Sequence, residues 1–221
     1  MAIVASSVVK EYKRREKKFR AVDDVSIEVP KGKITVVMGH SGSGKSTLIG
    51  ILSGMIRPEA GVVSIDGKDI QDKSNRQRDK IRAATIGMIP QSQSLIGGLT
   101  VYENIKLQSA FSKAGTDSDG KALDDMIGDL GLSEVRNMLP HRLSGGEMKR
   151  AAIARALSGN HDYIFADEPT GELDSENSDR VVNAFRKKAD EGKGILIITH
   201  DSLVAEKADI LYHMENGTLS K

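Results

Sequence analysis

Nine consecutive residues, Gly39-His40-Ser41-Gly42-Ser43-Gly44-Lys45-Ser46-Thr47, constrain this chain more than any other stretch. They follow the apolar run 34–38, precede the helical-looking run 48–52, and fit G-x-x-x-x-G-K-[ST] in full. Glycines at 39, 42 and 44 let the backbone turn without Cβ clashes, so successive N–H groups can wrap a phosphate chain. A helix starting near Lys45 presents its free N–H groups and positive dipole end to the same phosphates. Lys45 then reaches the β- and γ-phosphate oxygens as a point charge, and the Ser46 hydroxyl is placed to ligate Mg²⁺. The motif alone leaves kinases, small GTPases, helicases and transport ATPases open.

The 221 residues are ample for a sizeable core, and 38% hydrophobic residues is ordinary for a water-exposed fold. No apolar run approaches the roughly 20 residues needed to span a bilayer, and Met1-Ala2-Ile3 opens into a strand-like segment where a leader would carry a charged and apolar stretch. A membrane role therefore has to come through a partner. Cysteine is absent, which removes disulfides and thiolate chemistry and suits the cytosol. A formal net charge of +1 argues against a dedicated nucleic-acid binder.

Along the chain, residues 3–12 and 21–29 read as strands, the second alternating imperfectly through Val22, Val25, Ile27 and Val29. Between them residues 10–20 hold seven basic side chains, read as a solvated hairpin tip with a lipid-headgroup or partner contact as the alternative. Residues 57–61 form a turn, and 62–65 a strand entering a hairpin at Asp66-Gly67. These antiparallel strands are expected to lie beside the phosphate-loop strand. Helical composition covers 75–83, a short apolar strand 86–89, and Thr100-Val101-Tyr102-Glu103 has the form of a capping box opening a helix over 101–112. A polar loop at 115–120 precedes a helix over 121–130, closed by Gly131. Helices without intervening strands make 91–157 a helical insertion between core segments 1–90 and 158–221. Strands at 163–166, 194–199 and 210–214, with a helix over 175–191, imply a parallel sheet covered on both faces, and Asn216-Gly217 turns into a short terminal strand.

Two further motifs narrow the chemistry. In Leu143-Ser144-Gly145-Gly146-Glu147, Ser144 and Glu147 form a second capping box, which puts two glycines in a helix's first turn, where glycine is a poor choice. They make sense if a phosphate approaches the bare backbone there; a capped helix packing Ile153 and Leu157 is the structural alternative, and the two are compatible. The run Tyr163-Ile164-Phe165-Ala166-Asp167-Glu168 places two carboxylates at a strand's carboxyl end, where ligands bind in such sheets. Alternation sends their side chains to different sides. Asp167 is then suited to hold Mg²⁺, through a water, and Glu168 to orient or deprotonate an attacking water.

Together these residues resemble the nucleotide-binding subunit of an ATP-binding cassette (ABC) protein, in the family's motif order and over nearly the whole chain. The resemblance implies an α/β P-loop NTPase of ABC type, with a mainly parallel sheet flanked by helices, an N-terminal antiparallel β part and an inserted helical subdomain. It implies ATP contacts from Gly39, His40, Ser41, Gly42, Ser43, Gly44, Lys45, Ser46 and Thr47, with Tyr12 stacking on adenine and Phe19 a weaker candidate deeper in the charged loop. Gln91 is similar to the glutamine that senses the γ-phosphate and Mg²⁺ and couples to the membrane partner, and His200 to the switch histidine at the γ-phosphate. Lys45, Gln91, Glu168 and His200 are thus the catalytic set, and Ser46, Gln91 and Asp167 the metal set. Gly171-Glu172-Leu173-Asp174 matches the loop communicating between two sites. In this family Ser144, Gly145, Gly146 and Glu147 face the ATP of a second subunit, so the resemblance implies a head-to-tail dimer holding two ATP molecules and acting with a transmembrane permease.

The phrase from Asp167 to Asp174 and the single-cassette length are most similar to the subgroup serving lipoprotein release, cell division and export or sensing of macrolides and peptides. The chain departs from that subgroup with Glu172 for Asn, Glu147 for Gln and His40 for Pro, none of which removes a group needed for hydrolysis. The partner's coupling helix is expected to dock near 92–99. Rival functions are a soluble ABC ATPase acting on ribosomes or DNA, and a small-molecule kinase, which would leave the residues from Leu143 to Glu147 and His200 unexplained.

Overall fold

The structure, a computed structural model, describes residues 1–14, 17–92, 95–110 and 119–221. Its N-terminal strands β1 (Ala2–Arg14) and β2 (Lys17–Pro30) pair antiparallel. The strand β3 (Ile34–Met38) runs into the phosphate loop and helix α1 (Lys45–Leu52). Strands β4 (Ala60–Ile65) and β5 (Lys68–Asp69) flank the Asp66-Gly67 turn, whose two residues both have positive φ as a primed hairpin turn requires. Helix α2 (Asn75–Thr85) begins at a Ser74–Gln77 capping box and leads into β6 (Ile86–Ile89).

From there the described chain is helical as far as residue 157: α3 (Val101–Ala110), α4 (Asp119–Asp129), a 3-10 turn at Pro140–Arg142 and α5 (Gly145–Leu157). Strand β7 (Tyr163–Asp167), helix α6 (Ser175–Asp190), strand β8 (Gly194–Thr199), helix α7 (Ser202–Glu206) and strands β9 (Ile210–Glu215) and β10 (Thr218–Ser220) complete it. The end of the helix read over 101–112 and the polar loop as far as 118 lie outside the described residues, as do 93 and 94 of the expected docking segment. No helix among the described residues is long and apolar enough to cross a membrane.

The strands form two sheets. One has the order β2-β1-β4-β5; the other has the order β10-β9-β3-β8-β7-β6 and is parallel except for the β9–β10 hairpin. The antiparallel strands thus lie beside the phosphate-loop strand as a sheet of their own, a separate layer across α1. Side-chain alternation explains how one sheet serves both layers. Val36, Ile164, Ala166, Ile195 and Ile197 pack toward α3–α6, while Val37, Phe165, Leu196 and Ile198 pack with α1 and the antiparallel sheet. Both faces are dry, so these strands read as unbroken apolar runs.

The hairpin of β1 and β2 is longer than its apolar residues indicate, with pairing continuing to Arg14–Lys17. Charged residues are tolerated there because the strand ends are exposed, and Lys10, Lys18 and Arg20 pair with Glu59, Glu11 and Asp23 at 2.7–2.8 Å. The broken alternation from Val22 to Val25 has a local cause: Asp24 sits at φ 52°, which offsets the side-chain phase by one residue.

Candidate active site

The parallel strands end on one side, and register brings their following residues together. Met38 is opposite Thr199, Asp167 opposite Ile198, and Ile89 opposite Ala166. The phosphate loop, Gln91, Asp167, Glu168 and His200 therefore converge without any helix having to reach across. They line a cleft of about 680 Å³, whose far wall is Tyr12, Phe19 and Ala21 of the β1–β2 hairpin.

Within the loop, Ser41, Gly42, Gly44, Lys45, Ser46 and Thr47 line the cleft. Gly39, His40 and Ser43 are not among the lining residues. Gly39 backs onto the Met214 carbonyl, His40 is exposed, and Ser43 is buried under the loop. Gly44, in left-handed conformation, is the N-cap of α1, and no side chain caps the helix, which leaves its first N–H groups for a ligand. The Lys45 ammonium donates to the Gly39 and His40 carbonyls at 2.6 and 2.9 Å, which holds it inside the loop's curve.

Ser46 Oγ donates to Asp167 Oδ2 at 3.1 Å, so two of the three expected metal ligands already meet. Burial raises the Asp167 pKa, with the Glu168 charge adding to it and the Ser46 hydrogen bond and Lys45 opposing it. A half-buried carboxylate in that condition is stabilised as an anion by a cation. Beside it, Glu168 adopts φ 49°. The Thr199 hydroxyl donates to Glu168 Oε2 at 2.9 Å, and His200 Nδ1 lies 3.0 Å from Oε1. Gln91 lines the cleft from the end of β6.

Ser144, Gly145, Gly146 and Glu147 do not line this cleft, although α5 contributes Lys149 to it. They form the start of α5, with Ser144 and Gly145 exposed, and the capping box is complete: Ser144 N–H donates to Glu147 Oε2 at 2.8 Å, and Glu147 N–H donates to Ser144 Oγ at 3.3 Å. The Ser144 N–H and hydroxyl hold the Glu147 carboxyl below its ordinary pKa. Asp174 also lies outside the cleft. It is the N-cap of α6, accepting from Asn177 N–H at 2.8 Å, a role its position before Ser175 signals.

Tyr12 and Phe19 are directly opposite each other on the hairpin, with ring centroids 6.0 Å apart. Phe19 is thus not deeper in the charged loop but beside Tyr12 at the cleft. Lys149 and Glu172 also line the cleft, and neither is signalled as a cleft residue by the sequence: Lys149 looks like one more cation on an amphipathic helix, and only the fold shows it buried.

Comparison with known proteins identifies the family and the fold. The family described as "ABC transporter" matches residues 22–171. The ABC transporter ATP-binding protein YtrE of Bacillus subtilis is 38% identical over 94% of this chain and 90% of its own length. The lipoprotein-releasing system ATP-binding protein LolD of Buchnera aphidicola is 34% identical, over 96% and 93%. The dimeric structure of MJ0796, a bacterial ABC transporter cassette, superposes with a TM-score of 0.88 at 33% identity, covering 99% of this chain and 97% of that one. A second MJ0796 structure, a post-hydrolysis dimer bound to ADP and Pi, gives a TM-score of 0.88 at 32% identity, with the same coverage. With the phosphate loop, the paired carboxylates and the fold all in agreement, the chain belongs to the ABC transporter family, as an ATP-binding cassette of the P-loop ATPase class.

Proposed function

We propose that this chain is the ATP-hydrolysing subunit of a transporter, peripheral on the inner face of the cell membrane and energising a separate transmembrane permease. The carrying observation is Glu168, held by Thr199 and His200 in the cleft beside the phosphate loop. In this reading residues 39–47 bind the triphosphate, with Lys45 against the β- and γ-oxygens, and Tyr12 and Phe19 receive the adenine. Glu168 accepts the proton of the attacking water, His200 keeps that carboxylate aimed, and Gln91 reports the γ-phosphate to the 92–99 segment and the permease. The hydroxyl of Ser46 and the carboxylate of Asp167 are hard oxygen donors in contact, which fits Mg²⁺ held by few protein groups and by substrate phosphates. Bound there, with Gln91 nearby, Mg²⁺ would neutralise charge developing on the phosphoryl oxygens.

The exposed start of α5 supports a composite site. Ser144 to Glu147 present a capped, glycine-bearing helix end away from their own cleft, and MJ0796, a cassette of this shape, is a dimer. Two copies arranged head to tail would each lay Ser144, Gly145, Gly146 and Glu147 on the other's ATP, with Asp174 in the loop between sites. The helical subdomain at 91–157 would then carry both the permease contact and this helix end. Likeness to LolD supports cargo of the lipoprotein or peptide kind, with macrolide-like cargo or mechanotransmission in the same subgroup.

Hydrolysis by Glu168→Gln tests the reading. Loss of the general base lowers kcat by roughly 10² to 10⁴ while ATP binding stays intact; a variant turning over at the wild-type rate would remove Glu168 from its role.

A further inference from the structure

The loop leaving β7 is strained on both sides of its turn. Glu168 has φ 49° and Glu172 has φ 69°, conformations that cost a non-glycine residue of order 1–3 kcal/mol and persist only where the surroundings enforce them. One restraint is the Thr170 hydroxyl, which donates to Asp201 Oδ2 at 2.8 Å. The other comes from α5. Lys149, 5% exposed, donates from its ammonium to the Gly171 carbonyl at 2.5 Å, between the two strained residues and next to Glu172.

We infer that Lys149 is a positioning residue for hydrolysis: its buried ammonium ties the Glu168–Glu172 loop to α5 and so keeps the Glu168 carboxylate where the reacting water must be. A buried lysine is costly unless the fold uses its charge. Burial lowers the Lys149 pKa, opposed by the carboxylates of Glu172 and Glu168, which face the same cleft. The tether also joins two functions on one helix. About one turn separates Lys149 from the exposed Ser144–Glu147 end, so any shift of α5 at that end is transmitted to the loop carrying this subunit's own Glu168.

The inference rests on the reading of Glu168 as base, and steady-state ATPase kinetics of Lys149→Met and Lys149→Arg separate the two. In K149M, kcat falls by about 10-fold or more, the scale of a misplaced catalytic group, while KM for ATP stays within about 2-fold. K149R, whose guanidinium can still donate to the carbonyl, recovers at least about a third of wild-type kcat. A lysine that only stabilised the fold would lower thermal stability in K149M and leave kcat of the folded fraction unchanged. That outcome overturns the inference, as does a K149R enzyme as slow as K149M. Should K149M fail to bind ATP, Lys149→Gln carries the same test: a fall in kcat with KM unchanged supports the tether, and an unchanged kcat or a parallel change in both overturns it. If wild type hydrolyses ATP and E168Q does not, failure in the Lys149 series refutes the tether alone. If E168Q is as fast as wild type, the underlying reading has failed instead.

Discussion

Replacing Gly42 and Gly44 separately by alanine distinguishes two costs that the phosphate loop imposes. Both residues have positive φ, 83° and 111°, where an L-residue costs roughly 1–2 kcal/mol. Their surroundings differ. A Cβ on Gly42 would meet nothing within 4 Å, whereas one on Gly44 would fall 2.1 Å from the Ala21 carbonyl oxygen and 2.8 Å from Met214 Cε. The methionine can rotate, but the carbonyl belongs to β2, whose Asp23 N–H donates to the Gly217 carbonyl at 2.8 Å. Gly217 in turn donates to the Ser43 carbonyl at 3.0 Å, so loop, hairpin and terminal turn are locked together. Relief requires moving β2 off the loop, an overpacking cost of about 1–3 kcal/mol beyond the backbone strain. G42A should therefore lose about 1–2 kcal/mol and G44A about 2–5 kcal/mol, from a total of order 5–15 kcal/mol. In urea, with a slope of about 2–3 kcal/mol per molar, the extra ~1–3 kcal/mol should put the G44A midpoint about 0.3–1.5 M below that of G42A. Far-UV circular dichroism during urea titration reads this directly. Coincident midpoints would refute the claim that the antiparallel sheet braces the phosphate loop.

Two other predictions concern binding and stability. Tyr12→Ala and Phe19→Ala should each weaken ATP by roughly 10-fold, within the 1–3 kcal/mol typical of one ring under a base; titration with a fluorescent nucleotide reads this, and unchanged affinity in both removes the hairpin from base recognition. Asp209 accepts from Ile34 N–H at 2.8 Å and from Arg186 at 2.9 Å, so Asp209→Asn should destabilise by about 1.5–3 kcal/mol at pH 7. Burial alone would raise its pKa, but the Ile34 N–H and the Arg186 guanidinium outweigh it and hold the folded value below the ordinary carboxylate range. The contribution is therefore complete above the unfolded value of about 3.9 and is lost as pH falls through the lower folded value. Wild-type and D209N unfolding curves should converge below about pH 4, and a gap unchanged down to pH 2 contradicts the assignment.

What was legible in the sequence was local. The residues from Gly39 to Thr47 announce themselves because the loop needs glycine and lysine at fixed spacing. The boxes at Thr100–Glu103 and Ser144–Glu147 are each closed by side chains three residues apart, as read. The Asp66-Gly67 and Asn216-Gly217 turns need positive φ at both residues, and have it. What was missed is set by distant partners. Asp24's bulge and the pairing through Arg14–Lys17 decide that Tyr12 and Phe19 stand opposite each other, and a charged strand end carries no apolar periodicity to reveal it. Membership of the second sheet depends on packing over α1, which no segment of β1 or β4 encodes by itself. Lys149 carries no such signal, because burial of a helix cation depends on the β7–α6 loop folding over it. The five-residue α7, capped by Asp201, is too short to show a helical period.

The central claim is that this cleft is half of a site which a second subunit completes. Light scattering of Glu168→Gln with saturating ATP tests it most directly. The account predicts a species of twice the chain mass that depends on ATP and is abolished by adding Ser144→Arg, a substitution that leaves nucleotide binding in the monomer intact. A single-chain mass for E168Q at ATP concentrations that fill the cleft would contradict it.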